Sequence, residues 1–363
     1  MRKAIPSMLV TMFILIGSLH SALAAPYWVK PGVYIEYIAK RYDPYFPLVT
    51  GARPEQIHTA EIFLEVNGTL FKISAHNDTR VRFEFLNEER GYLTVRATIE
   101  MTNVTLQSTF LNNISKYPVF WNPEDVISEE LIPNPDYGFL DCVWLRVQLN
   151  KLNIFGIYQI RVRDGAVFDR NGNYYGHTFL WIEPGDPPMT NETFSIRGNV
   201  TNTVWKTGNL NRPLMTYYGK FGPPLFSVML TTENFKLSQR IDDNRNYTLL
   251  EVSFGGPSGG GIYDPFTGIA IYPTAVGAAP YADFYAIGIR WAVFEDELGA
   301  YRAMKEKDSL WLSGLVLYDT NAEFQKVQEV PFSKAQTPLR YMFWVSLVLL
   351  GSIVVTRGWR RPK

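Results

Sequence analysis

The chain has 363 residues, with 35 Lys plus Arg set against 35 Asp plus Glu and a pI near 6.9. That balance implies no nucleic-acid or other polyanion partner, for which a basic surplus is the usual mark. Aromatic residues at 15% within 46% apolar residues supply a sizeable core, while the single cysteine, Cys142, excludes an intrachain disulfide.

The chain opens with Arg2 and Lys3, an apolar run over 8–19 and the small-residue close Ala22-Leu23-Ala24. That pattern predicts a secretory signal peptide over residues 1–24. Beyond it, two apolar runs within 61–74 meet at Asn67-Gly68, a strong signal for a two-residue hairpin turn. Residues 80–86 alternate Val81, Phe83 and Phe85 with Arg80, Arg82 and Glu84, and 92–101 alternate again, which predicts a second antiparallel pair. Asn122-Pro123-Glu124-Asp125 predicts a capped helix start ending before Pro133. Cys142 lies in the apolar string Leu140-Asp141-Cys142-Val143-Trp144-Leu145 and reads as a buried hydrophobe. Residues 156–168 are expected to pair with 174–182 across Asp169-Arg170-Asn171-Gly172-Asn173.

Glu183-Pro184-Gly185-Asp186-Pro187-Pro188 is the best boundary signal, dividing a first β-rich part (25–186) from a second (187–335). Short strands are expected over 193–200, 213–218, 225–231, 247–254, 261–272, 284–294 and 310–318, with a helical turn over 300–308. Residues 339–356 are apolar apart from Arg340 and a few small polar residues, and Arg357, Arg360, Arg361 and Lys363 follow. Eighteen helical residues reach about 27 Å, so the pattern predicts a transmembrane helix with a basic cytoplasmic tail over 357–363. The expected fold is mainly β, antiparallel and sandwich-like, with a few short helices and that C-terminal span.

Seven Asn-X-Ser/Thr triplets stand at Asn67, Asn77, Asn103, Asn113, Asn191, Asn199 and Asn246. They are candidate glycan acceptors on an exterior domain, although Asn is also common in turns for backbone reasons. None follows Asn246, which leaves residues 247–335, with Tyr272, Tyr281, Phe284, Tyr285 and Trp291, as a core or a contact surface.

No catalytic, cofactor or metal set emerges. Gly256-Pro257-Ser258-Gly259-Gly260 matches G-x-S-x-G, but no helix can begin at Gly261-Ile262-Tyr263-Asp264-Pro265 and no His follows His177. His58, His76 and His177 show no metal-ligand spacing. The 169–173 segment offers oxygens like a calcium loop, but it lacks the sixth-position Gly and has Leu180 at the twelfth position.

A disulfide-free, sequon-rich β domain, the unit Tyr263-Asp264-Pro265-Phe266-Thr267-Gly268 and a short basic tail together resemble uncharacterised archaeal membrane-anchored surface proteins. The resemblance implies a β-rich tethered ectodomain and carries over no site residue. The expectation is a single-pass glycoprotein of the cell membrane, its ectodomain outside and C-terminus cytoplasmic. It would be a non-enzymatic binding or cell-envelope protein whose partner is an envelope protein, a glycan or an apolar ligand. Two alternatives stay open: a subunit of a membrane complex using its membrane-proximal region, and a secreted hydrolase using Ser258.

Overall fold

The computed structural model describes residues 25–44, 57–111, 117–133, 142–183, 193–197, 200–209, 250–254, 260–263, 267–274, 281–298 and 314–323. Side-chain alternation builds the strands. Buried and outward residues alternate in β2 (Ala60–Val66), β3 (Thr69–Ala75) and the first seven residues of β4 (Thr79–Glu89), while β1 (Tyr34–Ala39) alternates at its start and ends on three buried residues, Tyr37, Ile38 and Ala39. The β2–β3 turn is Asn67 (φ 49°) followed by Gly68 (φ 78°), the paired left-handed conformation that a two-residue hairpin requires. The next hairpin turns at Arg90 and Gly91 (φ 53° and 78°), so β4 runs on to Glu89.

β5 (Tyr92–Leu111) and β7 (Cys142–Arg161) are 20 residues each and pair antiparallel along their whole length. Partway along, both strands change phase. The buried residues of β5 are Leu93, Val95, Ala97, Ile99 and Met101, then Val104 and Leu106. Those of β7 are Leu145, Val147 and Leu149, then Leu152, Ile154, Tyr158 and Ile160. The shift centres on Asn103, which takes φ 51°. Before it β5 pairs with β4, and after it with β3. The β3–β4 turn is fastened to the shift itself, where His76 N–H donates to Asn103 O (2.9 Å) and Asn77 N–H to Thr102 O (3.3 Å).

β6 (Val126–Pro133) adds to the other side of β7, after a single 3-10 turn (Pro123–Asp125) capped by the Asn122 side chain. The expected helix is thus one turn long, because the β-branched and alternating residues from Val126 onward pair with β7 instead. β8 (Ala166–Phe168) pairs with both β7 and β9 (Tyr174–His177). A second antiparallel sheet runs in order through β10 (Thr193–Arg197), β11 (Val200–Asn209), β12 (Leu250–Phe254), β13 (Gly260–Tyr263) and β14 (Ala270–Thr274). After a four-residue helix, α1 (Ala282–Tyr285), β15 (Ile289–Phe294) joins β2 and β16 (Val316–Thr320) joins β1.

The main sheet therefore has 11 strands, forking at β5 into β3-β2-β15 and β4-β1-β16. Both branches close on one core. Phe284 of α1 packs against Phe83 of β4 (centroids 6.0 Å), Phe294 of β15 (5.5 Å) and Phe179 (5.6 Å). Trp28 stands between Phe85 and Trp181 and donates through Nε1 to Thr267 O at 2.6 Å. The wrapping of both branches about one aromatic core is that of a half-barrel.

Three corrections follow. The sandwich-like pair of sheets gives way to this forked half-barrel sheet, because one continuous strand, β5, serves both branches. Among the described residues no helix is long and apolar enough to cross a membrane. Residues 339–356 lie outside those described, as do 1–24 and 357–363, so a single-pass membrane topology and a membrane partner have no support in the structure and are set aside. Within 247–335 the contact-surface reading gives way to the core reading for three of the aromatics. Tyr272, Tyr281 and Phe284 are buried core, and Trp291 packs edge-on against Phe63. The membrane-complex reading falls with these two.

Candidate functional site

Strand alternation that buries one face must present the other, and on β2, β3, β5 and β7 the outward face carries a polar stretch between exposed apolar side chains such as Leu70, Trp144 and Phe155. Cross-strand register gathers it into two rows. One row is Glu61, Ser74, Thr105 and Gln148, and the other is Lys72, Gln107 and Arg146. Neighbouring strands lie about 4.8 Å apart, so each row sets its side chains at near-contact spacing. His58 and His76 close one end, and together these nine side chains line a cleft of about 540 Å³.

The charges in the cleft are unequally compensated. Glu61 takes an ion pair from Lys72 Nζ at 2.8 Å and lies 3.3 Å from His58 Nε2. His76 is held between Ile57 O (3.3 Å from Nδ1) and Thr105 Oγ1 (3.2 Å from Nε2). Partial burial pushes the His58 imidazole below its ordinary value. Glu61 works against that shift, while His76 and Lys72 add to it. Arg146 is exposed and makes no ion pair among the described residues. The cleft thus offers one exposed guanidinium, with Glu130 of β6 opposite it in the register, one partly neutralised ammonium and a bed of amide and hydroxyl groups. Among the described residues no three His, Cys, Asp or Glu side chains converge as metal ligands.

A second polar cluster sits in the core. Asp283 in α1 is fully buried, and its Oδ1 accepts from Tyr158 Oη (2.8 Å) and Thr178 Oγ1 (2.8 Å), while Oδ2 accepts from Phe179 N–H (3.1 Å). Burial pushes its carboxyl up to about 6 against the pull of those donors. The cluster ties α1 to β7 and to the segment after β9, and it is enclosed on all sides.

Of the residues singled out from sequence, Ser258 and the sequons Asn113, Asn191, Asn199 and Asn246 lie outside the described residues. Asn67, Asn77 and Asn103 are exposed. Asn67 and Asn103 also hold left-handed backbone positions, which Asn tolerates better than most residues. Asp169 spends its carboxylate on its own turn. Oδ1 accepts from the N–H groups of Asn171 and Asn173, and Oδ2 accepts from the Asn173 amide and the Tyr175 hydroxyl. His177 lies in β9 opposite Ala166.

Sequence reasoning did not assemble the cleft. Its signal was present as outward polar residues at alternate positions: Lys72, Ser74 and His76, then Thr105 and Gln107, then Arg146 and Gln148. Joining them needed the register, in particular the pairing of β3 with the far half of β5. No protein family, curated protein or solved structure matches the chain.

Proposed function

We propose that the described domain is a binding module whose polar cleft takes a small anion-bearing ligand. The observation that carries this reading is Arg146, an exposed guanidinium with no ion-pair partner among the described residues, set in a row with Gln107 and Lys72. A guanidinium presents a planar fork of donors matched to carboxylate, sulfate or phosphate oxygens. Gln107, Gln148, Ser74 and Thr105 then offer donors and acceptors for the uncharged parts of such a ligand. Glu61 keeps Lys72 partly occupied, which makes Arg146 the principal anchor.

Titration of the full chain with sodium sulfate, followed by isothermal calorimetry at pH 7 and low salt, tests this directly. Sulfate should bind saturably at one site. Arg146→Ala should weaken binding about tenfold or more, as expected for removing a charge-assisted hydrogen bond of about 1.5–3 kcal/mol. Absence of saturable binding, or binding unchanged in Arg146→Ala, would overturn the reading.

A further inference from the structure

Glu61 serves two partners through one atom. Its Oε2 takes the ion pair from Lys72 Nζ at 2.8 Å and also lies 3.3 Å from His58 Nε2. Lys72 belongs to the row of Gln107 and Arg146, whereas His58 stands just before β2, at the end of the cleft. The carboxylate thus links a permanent cation of the ligand row to an imidazole, the side chain whose charge ordinarily changes between about pH 5 and 8. The side chains of His58 and Glu61 are only 23% and 15% exposed, so salt screens this pair less than it screens the surface pairs of the sheet. Two further groups act on His58. His76, just past β3, is held by Ile57 O and Thr105 Oγ1, and Glu295, just past β15, is fixed beside it by its N–H bond to Thr59 O (2.9 Å).

We propose that His58 is a proton-operated control on the anion cleft: once protonated, it takes over the Glu61 carboxylate and releases Lys72 to bind the ligand beside Arg146. This rests on the reading of the cleft as an anion site and adds its regulation. With His58 neutral, Glu61 cancels Lys72 and leaves Arg146 to act alone. With His58 protonated, Glu61 is cancelled from the other side, and Lys72 and Arg146 both face the ligand. Glu130, opposite Arg146, lies outside this exchange. Burial pushes the His58 imidazole below its ordinary value, which puts the tight-binding state on the acid side of neutrality. By reciprocity, a bound anion raises the proton affinity of His58 by the factor by which the proton raises anion affinity.

The probe is sulfate, whose charge is constant between pH 5 and 8, titrated calorimetrically into the full chain at fixed ionic strength. Wild type should bind at least about fivefold more tightly at pH 5 than at pH 8. Binding near pH 6 should take up protons, seen as a heat that varies with the ionisation enthalpy of the buffer. His58→Gln can still donate a hydrogen bond to Glu61 but cannot ionise, so it should bind with one affinity across the range. Asp283 also titrates in this window, but it is unaltered in that variant and so is separated from His58. Lys72→Met should bind more weakly and lose most of the acid gain, and Glu61→Gln should bind at pH 8 about as tightly as wild type does at pH 5. The control is overturned if wild-type affinity is equal at pH 5 and pH 8, or if the acid gain survives in His58→Gln or in Lys72→Met. In each of those cases saturable, Arg146-dependent binding still upholds the anion site. Absence of sulfate binding at every pH removes the anion site itself, and this control with it.

Discussion

A carboxylate without access to water is costly unless donors surround it, and Asp283 is the clearest case in this protein. Three donors converge on it, yet burial still pushes its carboxyl up to about 6, above the value near 3.9 expected in the unfolded chain. The folded protein therefore holds a proton at Asp283 over a range of pH in which the unfolded chain has released it. Stability from this group is present in full below about pH 4 and is lost as pH rises through about 6. Two pH units correspond to about 3 kcal/mol. Urea unfolding of wild type and Asp283→Asn across pH 4 to 7 should show the wild type gaining on the variant by about that amount as pH falls. A constant difference between the two proteins would place the shift elsewhere. The other groups facing this carboxyl are the tyrosines Tyr37, Tyr158 and Tyr263, all raised by burial, so none of them titrates in that window.

At the scale of elements, the decisive feature is the shared change of phase in β5 and β7. One strand supplies both branches of the sheet because its buried face moves from odd to even positions at Asn103. A residue at φ 51° is strained for a β-branched side chain and tolerated by Asn or Gly. Asn103→Gly should therefore leave stability within about 0.5 kcal/mol of wild type, and Asn103→Val should cost about 1–2 kcal/mol. Chemical denaturation of both variants checks this, and equal stability of the two would remove the backbone role assigned to Asn103. The phase change is visible in the sequence itself, as Met101 followed by Val104 and Leu149 followed by Leu152. Hairpins closed by Asn67-Gly68 were equally legible, because a two-residue turn ties local sequence to local geometry. The pairing of β15 with β2 and of β16 with β1 was not legible, since strands more than 200 residues apart leave no local mark of their register. The cleft was hidden for a related reason: its residues are ordinary outward polar positions until β3 and β5 are aligned. The C-terminal apolar run shows the reverse hazard, a strong compositional signal for which the described structure offers no membrane-spanning helix.

For the whole molecule, a forked sheet with a packed aromatic inner face leaves its outer face and its edges to meet ligands. Where β1, β4 and β5 meet, the outer face carries paired charge. Glu36 is flanked by Arg80 and Arg82, Glu84 by Arg82 and Arg96, and Arg82 lies 3.8 Å from the centre of the Tyr34 ring. Exposed pairs of this kind contribute at most about 1 kcal/mol each and leave little net charge for a ligand. Arg146 stands apart from that pattern, which is why anion binding is assigned to its cleft. Amide chemical-shift mapping of the full chain during a sulfate titration tests that assignment most directly. Shifts confined to the amides around Lys72, Ser74, Thr105, Gln107, Arg146 and Gln148, saturating together, are the predicted result. Shifts scattered over other cationic positions such as Arg90, Arg163 and Arg170, or centred away from β3, β5 and β7, would contradict it.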